Sequence, residues 1–241
     1  MDGEIKRSYR AFFVLMLYLV AVKVTLTVAA ASAPGFRSAT QAAVFGWPWL
    51  AAWAAAGAVG IWLTHAVGLP GVWSPSVPLK LRLGYPLLAG LAMGGFEVAV
   101  DRLTHFSAIS ARAMGLPTIH IAWPQSLLIY PGGAIIVDII YYLLPIPLLT
   151  WLVTRVVKDP ARFSMVFWIV GFLAALVEPV TQSGGNGLAG SGMVVAAFFA
   201  SDLVANLAQV WAMRRAGFGA AVVFRVAFYL VWHVLNGLTG A

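Results

Sequence analysis

The stretch LLIYPGGAIIVDIIYYLLPIPLLTWLVT, residues 127–154, decides the fold. Asp138 is its single formally charged residue in 28 positions. A helix needs about 20 predominantly apolar residues to cross the hydrocarbon core of a bilayer, so this stretch reads as a membrane span. Pro145 and Pro147 lie within it. Each lacks a backbone N–H and crowds the preceding turn, which predicts a kink. Working outward, the same reading gives seven spans, near residues 11–31, 43–66, 81–101, 127–154, 164–182, 190–212 and 217–238. Gly- and Pro-bearing breaks separate most of them: SAPGFRSAT, GLPGVWSPSVP, KDPAR, SGGNGLAGSG and the basic turn MRRAGF.

Composition agrees. The 241 residues are 61% hydrophobic and 10% charged, with a mean hydropathy of +0.90; soluble domains are roughly 25% charged. The spans leave no room for a soluble domain, so residues 1–241 are expected to form a single membrane domain. Lys6, Arg7 and Arg10 precede the first apolar run, which is long enough to remain as an uncleaved span. With the N-terminus inside, ten basic residues fall in inner segments: Lys6, Arg7, Arg10, Lys80, Arg82, Arg155, Lys158, Arg162, Arg214 and Arg215. Three fall outside, Arg37, Arg102 and Arg112. Positive charge gathers on the cytoplasmic side, so the expectation is an all-α, multi-pass cell-membrane bundle, N-in and C-out. The net charge of +7 is then topology, not a nucleic-acid footprint. The absence of cysteine excludes disulfides, thiolate nucleophiles and thiolate metal ligands. No internal repeat is visible, against the usual transporter plan. The small residues of AMGGFE and GLAGSGM offer close helix contacts.

Four of the eight acidic residues, Glu97, Asp138, Glu178 and Asp202, sit in or at the ends of these spans. An intramembrane acid is costly and by default marks a functional interior. Orientation places Glu97, Asp138, Glu178, His233 and Asn236 in the outer half, where they are expected to share one outward-facing cavity. A carboxylate there can take a proton from water, His233 can shuttle it, and Asn236 can donate to an oxyanion. His233 and Asn236, three apart, share a face of a regular helix. Asp202 sits deeper and is expected to form a structural ion pair with Arg225. Glu97, Asp101 and Arg102 form a charge cluster at a helix end. His65, His105 and His120 read as surface or interface residues, with His105 and His120 able to approach His233. No cofactor is firmly implied; a divalent metal stays open, without a His-Glu-x-x-His spacing to carry it. SGGNGLAGSG lacks the Lys-Ser/Thr of a phosphate loop and reads as a connector over the cavity.

FFASDLVANLAQVWAMRRAGFGAAVVFRVAFYLVWHVLNG, residues 198–237, resembles the end of the CAAX-protease and bacteriocin-processing (CPBP/Abi) intramembrane protease family. That family shows a small-residue helix, a short basic turn with Gly, then an apolar helix ending in His and Asn. VDIIYYLLPIPLL is similar to its Glu-Glu-x-x-x-Arg helix, and FLAALVEPV to its Phe-x-x-x-His helix. The resemblance covers about the last 115 residues and implies a protease-like four-helix half over 127–241, with spans 1–3 and an outer loop in 1–126. It implies an endopeptidase site built from Asp138, Glu178, His233 and Asn236, acting on a membrane-protein or peptide substrate. The chain departs from the pattern at several positions. Val137 stands for the first Glu, Tyr142 for the Arg, no His accompanies Glu178, and Gly237 occupies the family's Asn position. An alternative register in GGFEVAVDR puts Glu97 and Arg102 at the first Glu and the Arg. Two functions follow: a hydrolase-like membrane protein, or a non-enzymatic one that binds a partner helix or lipid in the same groove.

Overall fold

A computed structural model describes residues 2–32, 43–185 and 192–239. The residues described are helical with short connections. Helix α1 runs over Asp2–Ser32 and α2 over Trp47–Ala66. A π turn, Lys80–Gly84, leads into α3, Tyr85–Thr104, followed by the short α4, Phe106–Ala113. Next come α5, Ser126–Asp138, and α6, Pro145–Val157. The bundle closes with α7, Phe163–Gly185, α8, Gly192–Ala216, and α9, Phe218–Tyr229, which continues through a π turn, Leu230–Leu235, into Asn236–Leu238.

Among the described residues, six helical segments are long and apolar enough to cross a membrane: Gly3–Val28, Lys80–Thr104, Ser126–Val157, Pro160–Thr181, Gly192–Ala216 and Phe218–Leu238. The protein is thus a multi-pass membrane bundle in contact with lipid. The remaining long helix, α2, has 20 residues. Trp47, Trp49, Trp53 and Trp62 dilute its hydropathy, and it is not one of the six. The connector SGGNGLAGSG and the break SAPGFRSAT fall largely outside the described residues.

The kink expected at Pro145 takes the form of a π turn over Ile139–Leu143. Proline cannot donate, and its ring crowds the preceding turn. The backbone widens, and the Leu144 N–H reaches the Ile139 carbonyl five residues back, at 3.2 Å. This turn directly follows Asp138, so the irregular backbone lies where the buried acid sits.

Helices α3 and α9 meet backbone to backbone. A Cβ on Gly90 would lie 2.2 Å from the Phe224 carbonyl oxygen, and one on Gly94 would lie 2.8 Å from that of Phe228. In AMGGFE, therefore, Gly94 provides the close contact while Gly95 faces open space. Of GLAGSGM only Gly192 and Met193 are described, and Gly192 meets nothing within 4 Å. Because α3 packs so closely on α9, the third span belongs physically with the C-terminal helices. Gly90→Val is expected to lower stability by about 1–3 kcal/mol or more through overpacking, read by thermal unfolding in detergent. Gly95→Ala, with free space around it, leaves the midpoint unchanged or slightly raised.

Candidate functional site

The polar centre of the bundle is Arg225. It lies one helical turn before Tyr229 on α9, and its side chain is only 4% exposed. Its Nε donates to Asp138 Oδ1 at 2.6 Å. Its two terminal nitrogens fork onto Glu178, Nη1 to Oε1 at 2.5 Å and Nη2 to Oε2 at 2.7 Å. This bidentate pairing matches the planar guanidinium to the planar carboxylate. Nη2 also donates to Asn206 Oδ1 and to the Tyr142 hydroxyl, each at 3.3 Å. Tyr142 in turn donates to Glu178 Oε2 at 2.7 Å.

Each partner comes from a different element. Asp138 ends α5, Tyr142 sits in the π turn, Glu178 is on α7, and Asn206 and Gln209 are on α8. Gln209 Nε2 donates to Asp138 Oδ1 and, at 3.2 Å, to the Ala221 carbonyl. Asn206 Nδ2 donates to the Ala175 carbonyl at 3.3 Å. One cation thus faces two carboxylates among neutral hydrogen-bonding groups, all buried. Asp138 Oδ2 is buried without a hydrogen-bond partner.

Histidine 233 belongs to a second cluster. It lies in the π turn of the last span, stacked on Tyr130 with ring centroids 4.3 Å apart. The Nδ1 atoms of His233 and His120 are 3.3 Å apart, a hydrogen bond whose direction depends on tautomer. Tyr229 bridges the two clusters. Its hydroxyl accepts from Arg225 Nη1 at 3.5 Å, and its ring meets the His233 ring edge-on at 4.9 Å.

The remaining polar groups stand apart. Asn236 accepts from Arg102 Nη2 at 3.3 Å and donates to Asp101 Oδ2 at 3.5 Å. Arg102 also donates to the Thr239 hydroxyl at 2.6 Å. Asp101 Oδ1 accepts from the Ser107 N–H at 2.7 Å, at the start of α4. Glu97 Oε1 accepts from the Ser201 hydroxyl at 3.0 Å, and its Oε2 is buried without a partner.

Two expectations therefore change. The five outer residues do not share one cavity: Asp138 and Glu178 meet, His233 lies one tyrosine ring away, and Glu97 and Asn236 have separate partners. The alternative residues, Glu97 and Arg102, bond to Ser201 and to Asn236 and Thr239 respectively. The second change concerns Arg225, whose salt bridges are to Asp138 and Glu178, not Asp202. Its N–H groups are taken by those carboxylates, Asn206 and the two tyrosines, which leaves Asp202 half-buried nearby.

Sequence reading missed Arg225 as the centre and missed Tyr142, Asn206 and Gln209 as its shell. The available signals were the three-residue spacing of Asn206 and Gln209, and an arginine within an apolar 21-residue span. His120, read as a surface or interface residue able to approach His233, does touch it but is buried, at 5% exposure. Among the described residues no group of three or more His, Asp or Glu side chains is arranged to hold a metal ion. Comparison with protein-family models, curated proteins and solved structures found no match.

Two tests follow from this geometry. Arg225→Leu leaves two carboxylates in the interior without their cation, a loss on the order of 3–5 kcal/mol, read as a lowered unfolding midpoint in detergent. Adding Asp138→Asn and Glu178→Gln to Arg225→Leu is expected to restore much of that loss. The other test uses His120, in the connection after α4. Burial pushes its imidazole below the ordinary histidine value, and the nearby Asp101 carboxylate opposes this only in part. The unfolded chain then binds the proton more readily than the folded one, so His120 contributes stability at high pH that is lost as pH falls below about 6.5. His120→Gln is expected to flatten that decline in a pH series of thermal unfolding.

Proposed function

We propose that this chain is a seven-span, N-in and C-out protein of the cell membrane that binds a partner helix or a lipid and does not hydrolyse peptides. The seventh crossing is α2, whose 20 residues have the length a span needs. The ten-to-three division of basic residues supports the orientation. One observation carries the functional reading. Arg225 forks across both oxygens of Glu178 and also takes Asp138 Oδ1. A general base needs a lone pair within hydrogen-bond reach of the proton it takes, and these lone pairs face a guanidinium. His233 is likewise turned to His120.

The route to a ligand is the opening at the end of the last span. A cavity of about 350 Å³ lies between α4, the loop Leu116–Thr118 and Gly237. A Cβ on Gly237 would come within 3.0 Å of the His120 Cβ, so this opening abuts the histidine cluster. Arg112 and Thr118 bring polar groups to it, beside apolar Ala108, Ala111 and Leu116.

The rival reading is a hydrolase resembling the CPBP/Abi proteases, and Asp138 Oδ2 favours it. This atom is the carboxylate oxygen of Asp138 that accepts nothing from the protein, so it is the place where a water would have to bind. Cleavage of membrane peptides by purified wild type, Asp138→Asn and His233→Ala separates the two. The binding reading expects equal background rates in all three. Wild-type turnover abolished by either substitution would establish the hydrolase instead.

A further inference from the structure

The lipid-facing side of α1 and α2 carries a groove unrelated to the Arg225 cluster. Its volume is about 850 Å³. Ala54 and Leu50 lie on the α2 side, and Phe13 and Trp47 are exposed along it. The helices are held together beside it by Phe12, whose ring occupies the space a Cβ on Gly57 would need. Arg10 is among the lining residues at one end and Val20 is at the other along α1.

We infer that this groove binds one anionic phospholipid of the inner leaflet, with an acyl chain along the apolar floor and the phosphate on Arg10. Two observations select that occupant. The first is charge. Arg10 is exposed and belongs to none of the salt bridges of the described residues. Lys6, four residues earlier on the same helical face, is exposed as well. Arg10 at the groove end, with Lys6 one turn beyond the lining, favours a net-anionic headgroup over a zwitterionic one. The second is length. The ten residues from Arg10 to Val20 rise about 15 Å, half of the roughly 30 Å hydrocarbon core. The groove is therefore about as long as one leaflet is thick, well short of a full crossing. A partner helix crossing the whole membrane would run past its end. This inference rests on the N-in orientation proposed above and not on whether the Arg225 cluster is catalytic.

The test uses the full chain purified in detergent, with native mass spectrometry after adding phosphatidylglycerol or phosphatidylcholine of the same acyl chains. Wild type is expected to retain phosphatidylglycerol several-fold over phosphatidylcholine. Arg10→Gln removes the preference, while Lys80→Gln, an exposed cation elsewhere, keeps it. Ala54→Phe fills the floor and lowers retention of both lipids at unchanged helicity by circular dichroism. The proposal is overturned if Arg10→Gln keeps the preference or if Ala54→Phe retains as much lipid as wild type. A wild type that holds no lipid but forms a dimer broken by Ala54→Phe would overturn it too, giving the groove to a second copy.

Discussion

The interior depends on one constraint: a guanidinium and two carboxylates held out of water must neutralise and hydrogen-bond one another. An unpaired charge at depth in a bilayer is expensive. Any packing of these helices that separated Arg225 from Asp138 or Glu178 would leave such a charge exposed. The constraint therefore fixes how α5, α7, α8 and α9 are rotated about their own axes. Apolar packing alone does so weakly, since lipid tails are as apolar as leucine and the helices gain little by turning toward each other. Asn206 and Gln209 complete the arrangement by binding both the charged groups and the backbone carbonyls of neighbouring helices.

This explains which parts of the structure are legible in the sequence. Length and hydropathy set where helices exist, and six of the seven expected spans match long apolar helices among the described residues, with ends shifted by up to eight residues. Depth follows from position along a span, so the meeting of Asp138 with Glu178 could be anticipated. Azimuth could not. Whether Arg225 turns to Asp202 or to Asp138 depends on helix rotation, which the low amphipathicity of these segments does not record. Asp202 and Arg225 do lie near one another in depth, but the fork geometry of Glu178 captures the guanidinium first.

The π turns account for another gap. His233 and Asn236 share a face if the helix is regular, and counting by three or four assumes 3.6 residues per turn. The segment Leu230–Leu235 is wider than that, so the extra residue in the turn rotates His233 away from Asn236. His233 consequently faces Tyr130 and His120, and Asn236 faces Arg102 and Asp101. No proline explains this turn, unlike the one before Pro145. Sequence patterning that tracks hydrophobicity at a fixed period is blind to it.

The geometry of Arg225 bears on what chemistry each buried position can supply. A water-activating pair needs at least one acid with a free lone pair and one group to pass the proton onward. Placing arginine on α9, four residues before Tyr229, directs the cation at both acids, and Tyr142 adds a donor to Glu178. The cation comes from α9 and pairs with both acids, while Asp138 Oδ2 stays without a hydrogen-bond partner in the protein. Tyr229 lies between the two clusters, its ring edge-on to His233 and its hydroxyl accepting from Arg225. The buried charges are thus held in a paired state, apart from the histidine pair that lies beside the opening by Gly237.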